Sequence, residues 1–408
     1  MSQSKNFSRL SASLLYTALA AALLPAATNA AASGAAAAAA TGGAVTVAPA
    51  SGAVVAAQLR PAVMSRQAAQ SVMLGAVRAG SRIVAVGERG IILFSDDNGQ
   101  RWQQADAPVS VTLTAVRFAD ARNGVAVGHA GVVLTTADGG AHWQRVLDGQ
   151  HLAALALQAA KAAAGFGPAA GAGPRKATAT RAGADTAAGA GASAATSASA
   201  LRDAERLVAD GADKPLLDVC LLGTNRILAV GAYGLAFASE DGGRTWTPWM
   251  NRIDNPKGLH LNTVRASGDT ILIAGERGYA QLSTDAGRSF KPLNVPYNGS
   301  FFTAELSGEK EILLAGLRGN AWRSADAGKS WQQIASPAPV TITASTTRSD
   351  GTQILANQAG MLLAVRDQAL VPISAKPLPP LNAVLDLNNG GLLTLSIQGI
   401  VPVAGDKQ

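Results

Sequence analysis

An eight-residue segment, Ser/Thr-x-Asp-x-Gly-x-x-Trp/Phe, recurs five times in this chain, and its spacing limits the possible folds more than any other feature. The copies are SDDNGQRW (95–102), TADGGAHW (136–143), SEDGGRTW (239–246), STDAGRSF (283–290) and SADAGKSW (324–331). Their aromatic residues lie 41, 103, 44 and 41 positions apart. The outlying 103 is one period of 41 plus 62 extra residues, and a low-complexity stretch of about that size lies between Gln150 and Lys214. The register therefore survives the interruption. A period near forty residues points to a repeat architecture in which each unit buries its faces against its neighbours.

Each period reads as four short strands separated by turn residues. In the first, LGAVRAG, RIVAVGE, GIILFS and RWQQADAP supply strands a, b, c and d. Four strands per unit of this length predict an all-β chain, a seven-bladed β-propeller with Asp-box repeats and one Ala/Gly-rich, partly helical insertion. The recurring segment is the c–d turn. Asp97, Asp138, Asp241, Asp285 and Asp326 are expected to accept hydrogen bonds from turn amides, a structural role, while the aromatic packs between blades. Two weaker repeats follow. In one, Asp367 holds the Asp position but Val365, Ala369 and Pro372 replace Ser, Gly and Trp; the last offers three strands before the chain ends. The count is seven, with six and eight as the alternatives. A closed ring wants a fourth strand in the last blade, and residues 54–65 are the expected donor.

The stretch 150–214 opens with HLAALALQAAKAAAG and closes with SALRDAERLVADGADK, both of helical character, around a Gly/Ala-rich centre expected to be flexible. It leaves strand d of the second blade and returns at strand a of the third. In a four-stranded blade the d–a and b–c connections share one face, opposite the c–d turns, so the insertion should overhang the b–c face. The b–c turns there read GERG (87–90), GHAG (128–131), GAYG (231–234), GERG (275–278) and GLRG (316–319). Arg89, Arg277 and Arg318 share one repeat position, with Glu88 and Glu276 beside two of them and Tyr233 and His129 in the other turns. These seven residues are the candidate partner-binding set: a guanidinium-rich patch suits a carboxylate or an acidic protein loop. The competing reading is that Arg is a soluble turn residue copied with the repeat.

The N-terminus has the form of a secretory signal peptide over residues 1–30: Lys5 and Arg9, then 11 apolar residues from Leu14 to Leu24, Pro25, and small residues around Ala30. That run is short for ~30 Å of hydrocarbon, so the expectation is a periplasmic monomer with no span after cleavage. An Ala-rich linker (31–53), blades 1–2 (54–149), the insertion (150–214) and blades 3–7 (215–408) complete the expected organisation. A net charge of +7 favours acidic partners or membrane surfaces, but no continuous basic run, RNA-binding aromatic signature or zinc spacing argues for nucleic acid. The single Cys220 allows no internal disulfide. Its four His show no metal-ligand spacing, so neither metal nor cofactor is expected. Gly328-Lys329-Ser330 looks like the end of a phosphate loop, but Arg323 stands where the first Gly is required.

The combined unit VGERGIILFSDDNGQRW, repeated as VGAYGLAFASEDGGRTW and IAGERGYAQLSTDAGRSF, resembles the photosystem II stability/assembly factor-like family. That family is a seven-bladed propeller of the wider bacterial neuraminidase-repeat class. The resemblance implies a non-catalytic binding or assembly factor whose partner is an integral membrane protein or its periplasmic loops. Relatives in non-photosynthetic bacteria resemble accessories of inner-membrane exporters of the resistance-nodulation-division type. The alternative is a carbohydrate-active propeller, a sialidase-like hydrolase or a lectin. A hydrolase of that kind needs an arginine triad, a Tyr paired with Glu and an acid Asp. The mature chain has only Tyr233, Tyr279 and Tyr297, two of them at or just after b–c turns, and an early Arg-Ile-Pro signature is missing.

Overall fold

A computed structural model describes residues 55–165, 186–374, 376, 378–387 and 389–403. The expected signal peptide, the linker and the centre of the insertion lie outside the described residues. From Val54 onward the chain is a single compact unit. Seven antiparallel sheets follow one another along it, six of four strands and a last one of three. Blade 1 shows the plan: strand a is Met73–Ala79, b Arg82–Gly87, c Ile92–Ser95 and d Gln103–Gln104. Each strand a touches the first strands of both neighbouring blades, blade 7 meeting blade 1. Seven inner strands thus ring an axis, and the propeller is closed.

Blade faces are apolar because both sides of each sheet are covered. The b strands are buried almost throughout, as in Arg82–Gly87 and Ile227–Gly231, which is why they read as continuous Val/Ile/Ala/Leu runs rather than alternating ones. Trp143 and Trp246 are buried in interblade clusters. Trp249 is completely enclosed between blades 3 and 4, beside the turn where Phe290 replaces the usual Trp. Burying each such aromatic contributes about 3 kcal/mol or more.

A polar seam supplements this packing around the axis. The second residue of strand a donates to the carbonyl of the first residue in the next blade's strand a: Thr114 to Leu216 (2.9 Å), Asn262 to Phe301 (2.8 Å), Thr343 to Leu381 (2.6 Å) and Asn382 to Met73 (3.0 Å). The last of these joins blade 7 to blade 1. Around it, Met73, Ile83 and Leu93 pack with Leu387, Leu393 and Leu395, and Arg78 Nε donates to the Asp386 carbonyl at 3.3 Å.

Closure therefore does not follow the expected route. Of the expected donor 54–65, the described residues 55–65 add no strand to blade 7, which keeps Leu381–Asp386, Leu392–Ser396 and Gly399–Val403 as its three strands among the described residues. The segment forms a 3-10 turn at Ala57–Leu59 and then follows the outer side of blade 1, with the Ala62 amide bonded to the Ala107 carbonyl at 3.0 Å. Pro61 lacks the N–H that a ladder position would use. Pro402 likewise lies in the outermost strand of blade 7, where it blunts an exposed edge.

The insertion is helical at both ends. Helix α1 (Gly149–Ala163) and helix α2 (Thr186–Asp210) pack on each other. Asp148 caps α1, accepting from the His151 amide at 3.1 Å, from its ring at 2.7 Å and from Arg145 at 2.9 Å. Leu152, Ala156 and Ala160 of α1 and Ala204 of α2 are buried in the cluster that holds Trp246 and Leu235 of blade 3. In the sixth blade the recurring turn has collapsed. Arg366 pairs with Ala369 across two residues, and Asp367 takes a φ of 51° there instead of organising a longer loop.

Candidate functional site

The two faces of the propeller carry different chemistry. On the c–d side, every Asp box is a closed hydrogen-bonded unit. In blade 3 the Ser239 hydroxyl donates to Asp241 Oδ1 at 2.8 Å and accepts from the Gly243 amide at 2.8 Å. The same carboxylate oxygen accepts from the Arg244 and Thr245 amides at 3.0 and 2.9 Å, and Trp246 Nε1 donates back to the Gly243 carbonyl at 3.0 Å. The Thr245 hydroxyl and amide hold the Asp241 carboxyl down to about 2, and Ser330 does the same for Asp326. Asp97 and Asp285 are also lowered by their turn donors. Burial opposes the shift at Asp138, but the His142 amide and ring outweigh it and bring that carboxyl to about 2. These carboxylates accept hydrogen bonds from donors of their own turns. Ser239→Ala leaves the buried Gly243 amide without an acceptor and is expected to lower unfolding free energy by about 1–3 kcal/mol. Urea titration measures this, and an unchanged midpoint would count against the turn as a stabilising unit.

The opposite face is built by the b–c turns. In all seven blades the amide of the second turn residue donates to the carbonyl just before strand a, from Glu88 to Val72 (3.0 Å) in blade 1 round to Ile397 to Pro380 (3.4 Å) in blade 7. Tight docking explains the first Gly of the motif: a Cβ on Gly275 would lie 1.9 Å from the His260 carbonyl oxygen. The third turn residue is the unusual one. Arg89, Ala130, Tyr233, Arg277 and Arg318 all have φ between 52° and 57°. That left-handed region disfavours side chains other than Gly, Asn and Asp.

Arg89, Arg277 and Arg318 are all exposed, and among the described residues their guanidiniums form no hydrogen bond or ion pair. Equivalent turns place them on one face. Arg277 and Arg318 belong to adjacent blades 4 and 5, whereas Arg89 in blade 1 is three blades from each. Beside Arg318, a cleft of about 280 Å³ opens against Gln333 and residues 336–339.

Glu88 and Glu276 make a structural contact that their turn positions do not reveal. Glu88 Oε1 accepts from the Val72 amide at 3.1 Å, and Glu276 Oε2 from the His260 amide at 2.9 Å. Both carboxylates brace the turn, so that each turn is clamped twice to the entry of strand a.

Tyr233 is 60% exposed and packs edge-on against His260 at 4.9 Å, with Lys214 Nζ 5.1 Å from the ring centre. Lys214 and His260 come from d–a connections, so the turn motif alone did not reveal them. His129 is partly buried in its turn, and burial lowers its pKa, favouring the neutral ring. The insertion begins on this face: a Cβ on Gly149 would lie 2.9 Å from the Ala130 carbonyl oxygen and 2.8 Å from Ala212 Cα.

The tyrosines are not arranged for glycoside chemistry. Tyr233 stacks as described, Tyr279 donates to the Asp254 carbonyl at 3.2 Å, and Tyr297 to the Leu317 carbonyl at 2.8 Å. Burial pushes the Tyr279 hydroxyl well above its ordinary pKa, away from an ionised nucleophile.

A second charged cluster, beside the axis, is absent from the sequence-based set. Asp218 on strand a of blade 3 accepts from Arg117 of blade 2 at 3.1 Å and from Arg265 of blade 4 at 2.5 Å. The Val264 and Val219 amides and the Thr263 hydroxyl complete its shell. An Asp inside LLDVCL was the available signal, since a carboxylate in an apolar inner strand requires partners.

A family model described as photosynthesis system II assembly factor YCF48 matches residues 94–167 and 201–365, more than half of the chain. The chain belongs to the YCF48 assembly-factor family. No curated protein sequence matches it significantly. Among solved structures, YCF48 bound to a D1 peptide is 14% identical with a TM-score of 0.55, the match covering 85% of this chain and all (100%) of that one. YCF48 from Cyanidioschyzon merolae is also 14% identical, with a TM-score of 0.56 and coverage of 83% and 97%. The WD40 propeller domain of Doa1 aligns at 9% identity, a TM-score of 0.51 and coverage of 86% and 97%. At these identities the likeness is one of fold. The gap in the YCF48 family match, between residues 167 and 201, falls inside the insertion, while helix α1 and the last residues of α2 lie within the matched ranges.

Proposed function

We propose that this YCF48-family propeller is an exported, periplasmic, non-catalytic binding factor. Its b–c face holds an acidic segment of an integral membrane protein during assembly or transport, the partner being a subunit of an inner-membrane complex or an exporter of the resistance-nodulation-division type. The observation that carries this reading is the state of Arg89, Arg277 and Arg318. Each stands at a φ of 52–57° where Gly would be easier, and none has a carboxylate partner within the described chain. Strain kept at equivalent exposed positions, with guanidiniums directed to no internal acceptor, is what a ligand-binding surface requires. The YCF48 structure that holds a D1 peptide shows that a propeller of this family can carry a peptide.

The test is affinity capture from detergent-solubilised membranes, comparing the native chain with the triple variant Arg89→Ala/Arg277→Ala/Arg318→Ala. Ala130 already occupies this turn position at φ 55°, so the substitutions should fold. Each charge-assisted contact contributes about 1.5–3 kcal/mol, and loss of three should reduce capture at least tenfold while thermal unfolding stays unchanged. Undiminished capture of an integral membrane protein by the variant would remove this face from the function. Turnover of sialosides by the native chain would instead favour the carbohydrate-active alternative.

A further inference from the structure

The strap over residues 55–67 has its side chains the wrong way round for a segment that only seals the ring. Small Ala57 and Ala62 face inward onto the cluster between blades 1 and 2. Val55, Leu59, Val63 and Met64 face outward and are 54%, 54%, 76% and 57% exposed, half of the eight large apolar side chains that the described surface exposes. The backbone is nevertheless held firmly. The Ser110 amide donates to the Ala57 carbonyl at 2.8 Å, Gln104 Nε2 to the Val63 carbonyl at 2.9 Å, and the Ser65 amide to Gln104 Oε1 at 2.8 Å. Folding thus pins the strap and presents its apolar side chains to the outside.

Charge is segregated in the same place. Arg60, between Leu59 and Val63, and Arg66, two residues after Met64, are both exposed. Arg60 spends only Nε on the Ser110 hydroxyl, at 3.1 Å. No Asp or Glu occurs before Glu88, although the chain has 27 of them. Asp106, next to the Ala107 carbonyl that bonds the Ala62 amide, has its Oδ2 4.0 Å from His142. Large apolar side chains interleaved with arginines, without acidic neighbours on the segment, match the interface of a bilayer with anionic headgroups, which takes apolar groups at the acyl boundary and guanidiniums at the phosphates.

We propose that the strap of residues 55–67 rests on an anionic lipid bilayer and tethers the outer side of blade 1 to it. This does not depend on what the arginine turns bind. An attached propeller would search for a membrane partner in two dimensions.

The full chain carrying Val63→Cys, labelled with an environment-sensitive fluorophore, tests the idea at the strap itself. Cys220 is buried and its thiol is pushed up to about 12, so the label goes to the new site. Emission should shift to the blue on vesicles of phosphatidylglycerol and phosphatidylcholine, but not on phosphatidylcholine alone. Arg60→Gln/Arg66→Gln should weaken the vesicle affinity by about tenfold or more, and raised salt should do the same. A label at Ser349→Cys, in the a–b turn of blade 6, should not respond. An equal shift on neutral lipid or at Ser349, or none on either vesicle, would overturn the proposal. So would a shift that follows protein concentration without lipid, which would mark the strap as a contact between copies of the chain.

Discussion

Asp218→Asn is expected to lower the unfolding free energy by about 3–5 kcal/mol, among the largest effects of any single polar substitution in this propeller. Asp218 is almost completely buried, and it joins the inner strands of three consecutive blades through Arg117 and Arg265. Replacing the carboxylate removes the counter-charge bonded to both guanidiniums, leaving Glu305 as the remaining carboxylate that acts on them, and removes one of the two oxygens that accept from the Val219 and Val264 amides. Burial alone would raise the Asp218 pKa. The Arg265 and Arg117 charges and the two amides outweigh burial and hold it below the usual carboxylate range. A lowered folded-state pKa means that the stabilisation is complete above about pH 4, where the unfolded carboxylate is ionised. It is lost as pH falls further, through the folded value. The box carboxylates, Asp241 and Asp326 at about 2 among them, act in the same direction. Guanidinium titrations of the native chain should therefore show stability constant near neutrality and falling between about pH 4 and 2, with a shallower fall in Asp218→Asn. A variant within 1 kcal/mol of the native chain at pH 7 would show that the cluster is not a brace.

The second large effect comes from comparing two glycines that share a backbone angle but not an environment. Gly278 and Gly268 have φ of 75° and 57°, so Ala at either suffers the left-handed penalty of about 1–2 kcal/mol. At Gly268, in the a–b turn, nothing lies within 4 Å of the added methyl, and the cost ends there. At Gly278 the methyl would lie 2.0 Å from the Tyr297 carbonyl oxygen. The d–a connection must then retreat, which breaks the 2.7 Å bond from the Gly278 amide to the Gly299 carbonyl. Gly278→Ala is expected to cost about 3 kcal/mol or more, the sum of backbone strain, steric displacement and a lost hydrogen bond. Thermal melts of the two variants side by side provide the measurement. Equal melting temperatures would mean that the docking of b–c turns onto d–a connections does not hold the face together.

Much of this architecture was legible in the residues, because a propeller repeats its local chemistry. The Ser-x-Asp-x-Gly-x-x-Trp segment is closed by hydrogen bonds among residues no more than four positions apart, so its pattern survives without any knowledge of the rest of the fold. Spacing of the copies then implies blade number, and the Gly-x-x-Gly turns imply a second face. The bonds that Glu88 and Glu276 accept from amides 16 positions earlier were not legible in the same way. A turn motif contains no record of a contact at that distance. The closing strand assigned to residues 54–65 failed for a related reason. Blade closure is a general need of the architecture, but which segment meets it depends on packing between residues more than 300 positions apart, such as Asn382 with Met73.

By itself, then, the sequence determined what each forty-residue unit is and which turn residues are equivalent, since these follow from interactions within one blade, whereas the choice of seven blades over six or eight came from the seven sheets of the fold. Tertiary structure alone decided how the ring closes without a borrowed strand. It also decided that three inner strands meet at Asp218, that Lys214 and His260 join Tyr233, and that the N-terminal strap turns its large apolar residues outward. Each of these depends on which blades become neighbours and which side of a segment is covered, and burial of that kind is a property of the assembled ring rather than of any stretch of chain.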